Sequence, residues 1–234
     1  MSNQLCDALL AVSWQENVEA FCREDSHIKD IHSAIAKIAM LARQIQVVED
    51  GNPALPFVHE MQLSGHDVVR CISLSLYKPA VSAMRSMLEC AIYYCYFRSH
   101  PVELKTLVRD EKFYLSKSEI IDYFQIHVEG WKKKQSAIAL VSRLDSWYSK
   151  VSAIIHGQIP GHWNKSLAIS DSSHSEELLR DTVNLAVNCA DISRDVVICS
   201  FMDEAWRYVE TDAKRELLHG TSADYREKLK LDRA

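Results

Sequence analysis

The stretch from Lys78 to Arg98, KPAVSAMRSMLECAIYYCYFR, constrains the fold more than any other part of the chain. From Ala80 to Phe97 it is apolar nearly all round, as a helix enclosed by other helices must be. Pro79 suits the first turn, where its missing N–H would have had no intrahelical partner. The polar exceptions are ordered: Ser82, Arg85, Ser86 and Glu89 recur at i, i+3, i+4 and i+7, and Tyr93 and Tyr96 prolong the same stripe. Arg85 and Glu89, near the middle, would each be costly in lipid, so the segment reads as a buried helix and not a membrane span. A helix that needs neighbours on every side predicts an all-α protein, a multi-helix bundle built around this central helix.

Composition supports that class. Only 6 Gly and 5 Pro in 234 residues disfavour a turn-rich β architecture, and 47% hydrophobic residues suffice for a large core. The formal net charge of −5 provides no global attraction to nucleic acid or an anionic membrane, so any such contact must be a local patch. Seven Cys without C-x-x-C spacing lie mostly in apolar runs, which predicts reduced thiols and a cytoplasmic location. The first residues lack a basic, apolar leader pattern, so export is not expected.

The chain divides into an N-terminal helical pair over residues 1–50, a helical core over 57–209 and a charged tail over 210–234. In the first unit, one helix is expected from Asn3 to Arg23 and a second after a cap at Asp25 or Ser26. The second carries the apolar series Ile28, Ile31, Ile35, Ile38, Ala42 and Ile45, which calls for a partner in the core or in a second subunit. Gly51, Pro53 and Pro56 mark a linker and a hinge. In the core, a helix near Val58–Leu76 precedes the central one, and His100-Pro101 ends the central one. Shorter segments follow near Val102–Phe113 and Ser118–Val128, with Ser116 or Ser118 as caps. A long helix is then expected from Trp131 to a left-handed stop at Gly157. After a long connection containing Pro160 and Gly161, the last major helix is expected over 175–209. It buries Leu178, Leu185, Cys189 and Ile192 and turns Asp181, Asn184, Asn188, Asp191 and Asp195 to its other face. Interleaved charges beyond Glu210 predict a loosely held tail.

Two polar seams carry the candidate chemistry. Asp145, Ser149, Ser152 and His156 are spaced by four, three and four, and so share a face of their helix. Where this seam meets the Arg85–Glu89 seam, a cation, a carboxylate and an imidazole would share one groove, a group able to move protons and stabilise a phosphate. The structural alternative makes Arg85 and Glu89 an i,i+4 ion pair and His156 a charge at a helix C-terminus. Lys132, Lys133 and Lys134 beside Trp131 suit nucleic acid as well as a solvated helix face. His59, Glu60 and His66 lack metal-site spacing and a third ligand, so neither a metal nor another cofactor is expected.

The Arg-x-x-x-Glu pattern at Arg85 and Glu89, with the later Ser149-x-x-Ser152-x-x-x-His156-Gly157, resembles the HEPN (higher eukaryote and prokaryote nucleotide-binding) superfamily over about residues 58–209. The resemblance implies a helical bundle, often a homodimer, from toxin–antitoxin, CRISPR or phage-defence systems, and in many members a metal-independent ribonuclease. Where an active member has Arg, four to six residues and His, this chain has Lys150, five residues and His156. The catalytic set so implied is His156 for proton transfer at the ribose 2′-OH and the leaving 5′-oxygen, with Lys150 or Arg85 on the phosphorane and Glu89 beside Arg85. Ser149, Ser152 and Lys132 to Lys134 would bind RNA. The alternative is a non-enzymatic scaffold or adaptor for a partner protein encoded nearby. No membrane contact is expected.

Overall fold

The computed structural model describes residues 2–159, 161–163, 168–202 and 205–231. Helices make up most of them, and no strand occurs among the described residues. The order is α1 (Ser2–Leu10), α2 (Trp14–Cys22), α3 (Asp25–Val48), α4 (Leu55–Ser73), α5 (Tyr77–Phe97), α6 (Pro101–Arg109), α7 (Lys117–His127), α8 (Trp131–Ala137), α9 (Leu140–Ile155), α10 (Glu176–Val197), α11 (Thr211–Leu217) and α12 (Ala223–Leu229). Among the described residues no helix is long and apolar enough to cross a membrane.

The central segment is α5, and the bundle is built on it. Val81, Met84, Met87, Leu88, Ala91, Ile92 and Phe97 are each at most 1% exposed. α4 precedes it in a tight hairpin closed by Leu76 N–H donating to the Cys71 carbonyl at 2.7 Å. In that turn Ser75 takes φ 61°, a left-handed conformation in which glycine is the usual residue. α10 runs parallel to α5. Ser175 N–H donates to the Tyr77 hydroxyl, the Cys189 thiol approaches the Met84 carbonyl at 3.2 Å, and the rings of Tyr94 and Phe201 meet edge to face, so contacts advance together along both helices. α9 is fastened across α10 by the buried indole of Trp147, which donates to the Leu185 carbonyl at 3.0 Å.

Several boundaries differ from the sequence expectation, each for a local reason. The first helix is broken into α1 and α2, where Trp14 N–H turns back to the Val12 carbonyl. Neither Asp25 nor Ser26 caps α3; Glu24 occupies that position without a side-chain bond. The helix after Gly130 is two helices, interrupted at Ala139, whose φ of 51° cannot continue an α-helix. The last major helix ends at Val197 and unwinds into one π turn over Ile198–Met202, followed by a 3₁₀ turn at Trp206–Tyr208. By contrast, Ser116 caps α7 with a full capping box to Glu119, and Gly157 closes α9 at φ 68°.

The described part of the segment beyond Glu210, up to Leu231, is not loosely held. Ala213, Leu217, Leu229 and Leu231 are buried, and the Trp206 indole donates to the Leu231 carbonyl at 2.8 Å. Two short helices thereby cover one end of α3 and α10. The linker around Gly51 is likewise tied down: Asn52 donates to the Arg98 carbonyl at 3.0 Å, and Glu49 pairs with the Arg98 guanidinium. Most of the Ile28–Ile45 stripe is consumed inside the bundle, with Ile31, Ile38, Ala42 and Ile45 buried and Ile28 and Ile35 left half-buried. Pro160 lies outside the described residues.

Candidate functional site

The stripe of α5 emerges between α9 and the start of α7. Arg85 Nε donates to Glu89 Oε1 at 2.9 Å, the i,i+4 pairing that the spacing allows. The same carboxylate oxygen accepts the Tyr148 hydroxyl at 2.5 Å, and the Arg85 guanidinium lies over the Tyr148 ring, 4.7 Å from its centroid. Lys117, the first residue of α7, pairs with Asp145 and also faces the Tyr148 ring at 5.0 Å. Tyr93 continues the seam by donating to the Leu115 carbonyl at 3.1 Å.

The electrostatics follow from this packing. Burial opposes the Arg85 charge, yet the hydrogen bond and charge of Glu89 outweigh it, so the guanidinium ends above its ordinary pKa. Burial raises the Tyr148 phenol first, and its bond to the Glu89 carboxylate raises it further. Tyr148 therefore stays protonated and holds Glu89 as an acceptor. Burial likewise pushes the Tyr93 hydroxyl up to about 12. Two cations and two carboxylates sum to zero, and the Tyr93 ring packs edge to face on Phe57 and Phe97, so the seam is a neutral, well-satisfied junction. It holds Arg85 in place against Glu89 and the Tyr148 ring.

The seam of α5 thus meets α9 at Tyr148, one residue before Ser149. His156 is exposed just beyond the end of α9 and has no side-chain partner among the described residues. Eight residues of helix separate it from Tyr148, or about 12 Å along the axis at 1.5 Å per residue. Lys150 is exposed too, but lies about 120° round the helix from His156 at 100° per residue. Ser149 is exposed and Ser152 half-buried. Lys132 and Lys133 are exposed and Lys134 half-buried, while Trp131 is 0% exposed and cannot stack on a base. His59 and Glu60 face solvent on α4, and no group of three metal-ligating side chains occurs among the described residues.

A second polar centre escaped the sequence reading. Asp195, placed by periodicity on the outer face of α10, is 0% exposed. Arg194 donates to its Oδ1 from Nε at 2.8 Å and from Nη2 at 2.7 Å, Arg143 of α9 reaches its Oδ2 at 2.7 Å, and the Tyr225 hydroxyl of α12 donates to Oδ1 at 2.6 Å. Arg194 also donates to Asp191 Oδ1 at 3.1 Å and to the Leu217 carbonyl at 3.3 Å, and Lys37 of α3 pairs with that same Asp191 oxygen. Burial counts first against the Arg194 charge, but Asp195 more than compensates and its pKa rises. Burial, then the Asp195 charge, lift Tyr225 as well. The cluster borders a cleft of about 610 Å³ between α3, α9, α10 and the C-terminal helices. Lys37 is the signal the sequence offered, since it falls among the buried positions of α3 and a buried lysine needs a carboxylate.

No family model, no curated protein and no solved structure matches the chain.

Proposed function

We propose that the chain is a HEPN-like helical protein of a bacterial defence or toxin–antitoxin system that binds RNA on α8 and α9, with His156 as the acid–base group of any metal-independent cleavage. One observation carries this reading: Lys132, Lys133, Ser149, Lys150 and His156 are all exposed and have no side-chain partner among the described residues. Polar groups that the fold does not use are free to meet phosphates and sugar hydroxyls. His156 in particular keeps an accessible imidazole at the open end of a helix. None of the seven cysteines is in a disulfide, in keeping with a reducing cytoplasm.

The test is fluorescence anisotropy with labelled single-stranded RNA at low and moderate salt, run beside wild type and His156→Ala incubated with total RNA and EDTA. Binding that weakens with salt, and weakens at least several-fold when Lys132, Lys133 and Lys150 are all changed to Ala, supports the reading. Binding unchanged in that variant overturns the surface, and equal cleavage by wild type and His156→Ala removes His156 from the chemistry.

A second reading, an adaptor for a partner protein, rests on a different observation. Pro53, Pro56, Phe57, Leu104, Leu107 and Val108 line an apolar surface groove of about 500 Å³, and Val108 and Val102 are 81% and 72% exposed. A homodimer would instead use the apolar groove bordered by Phe21, Ile28, Ile35 and Val69. Light scattering that gives a monomer at micromolar concentration removes the dimer.

A further inference from the structure

We infer that the notch between the end of α5, the start of α6 and α7 is a docking surface for a positively charged, arginine- or lysine-bearing segment of a partner protein. Its floor is a stack of rings. His100 lies flat on Tyr96, with centroids 4.0 Å apart and 4° between the planes, and Tyr123 of α7 meets the two edge to face, at 5.1 Å from Tyr96 and 4.7 Å from His100. His100 Nδ1 donates to the Tyr96 carbonyl at 2.6 Å, which holds the stack against its own helix. All three side chains are nonetheless only half-buried, and the Tyr96 and Tyr123 hydroxyls have no hydrogen-bond partner among the described residues. Ile126, one turn beyond Tyr123 on α7, is 71% exposed. Rings and an aliphatic side chain left open together on a surface mark an interaction site.

The charges around the rings select the partner. Burial raises the Tyr96 phenol first, and the carboxylate of Glu103, then Tyr123 and the carboxylate of Glu119, raise it further, so one acid from α6 and one from α7 flank that ring. Hydrogen bonds from the Ser116 side chain and backbone hold Glu119 below its ordinary pKa, and it is therefore ionised at neutral pH. On α7, Glu119, Asp122, Tyr123 and Ile126 fall within about 100° of arc at 100° per residue. Glu103, Glu119 and Asp122 are in no ion pair among the described residues, and no lysine or arginine stands three or four positions from any of them. Lys117, the basic residue of α7, is taken by Asp145. Glu119 and Asp122 repel each other along the helix, a cost to α7 that a bound cation would relieve. A guanidinium or ammonium set against the Tyr96 and Tyr123 rings gains cation–π attraction within reach of these carboxylates, and an apolar residue beside it covers Ile126. An RNA strand would instead bring its phosphates against three carboxylates.

The notch shares no side chain with the residues assigned to RNA or with the groove lined by Pro53 and Val108, so either of those readings can fail without affecting it. The experiment is titration of the isotope-labelled full chain with three acetylated and amidated peptides, GRLRLRG, GQLQLQG and GELELEG, followed by amide NMR, with the melting temperature of every variant recorded alongside. The arginine peptide is expected to bind and to shift signals of α7, of the start of α6 and of the end of α5, and the glutamate peptide to do neither. Glu103→Gln combined with Asp122→Asn is expected to weaken binding by about fivefold or more, and Tyr123→Leu to do the same. Should Tyr123→Leu lose the fold, the double acid variant decides alone. No shift from the arginine peptide at millimolar concentration overturns the inference, as does unchanged affinity in the double acid variant. Equal binding of the glutamine peptide overturns the charge of the partner, and shifts confined to other helices overturn the place. Signals of the notch that move with protein concentration in the absence of peptide would make a second copy the occupant and overturn the partner class.

Discussion

The α5–α9 seam and the α3–α10 cluster are made from the same parts, arginine, carboxylate, lysine and tyrosine, yet they are opposites in physical character. In the seam, Arg85 and Glu89 retain 28% and 35% side-chain exposure and the charges cancel. In the cluster, Arg194 and Asp195 retain 4% and 0%, and one cation is left over. Water screens the first pair, so its contribution to stability is small; the second has exchanged water for a fixed set of donors and acceptors, and losing one partner leaves a charge stranded. An ion pair recognisable in sequence is thus the weaker one here, and the one that sequence hides is structurally dominant.

The largest effect should come from Asp195. Changing it to Ala removes the carboxylate that holds two arginines and a tyrosine, and chemical denaturation should show a loss of about 3–5 kcal/mol. If Glu89→Ala proved as damaging, the contrast between the two centres would break.

A middle-sized effect is expected from the tyrosines and from pH. Tyr225 and Tyr148 both titrate above their ordinary value in the folded chain. The folded state therefore holds their protons after an unfolded chain has begun to release its own, so stability is intact below about pH 10 and falls as pH rises further. At neutral pH, Tyr225→Phe removes a hydrogen bond to a buried carboxylate and should cost about 1.5–3 kcal/mol, while making the alkaline decline shallower. Urea titrations at pH 7, 9 and 11 would show it. An alkaline slope unchanged in Tyr225→Phe would mean that the cluster does not sense pH in this range.

The smallest effect should be the Arg85–Glu89 coupling. A double-mutant cycle should give about 0.3–0.5 kcal/mol, shrinking as salt is added. A coupling above about 2 kcal/mol, insensitive to salt, would place the seam in the same class as the cluster.

The central helix was legible because its information is local. Eighteen residues of apolar character can be buried only within other helices, and the i, i+4 geometry of Arg85 and Glu89 is set by the helix itself. The all-α class, the Ser116 cap and the Gly157 stop follow in the same way from side chains acting on their own backbone. The breaks at Ala139 and after Val197 were not legible, since neither carries a glycine or proline and tertiary packing sets them.

Tertiary structure alone decided the rest. Tyr148 had no place in the sequence pattern, and only the meeting of α5 and α9 brings its hydroxyl to Glu89. Asp195 looked solvent-facing because amphipathicity assumes that one side of a helix meets water, and here α9, α11 and α12 cover the other side as well. The C-terminal segment looked too charged to pack, but Ala213, Leu217, Leu229 and Leu231 face inward. A sequence fixes which residues a helix presents on each face. Which face meets another helix depends on contacts between residues as far apart as Lys37 and Asp191, and only the folded chain brings those together.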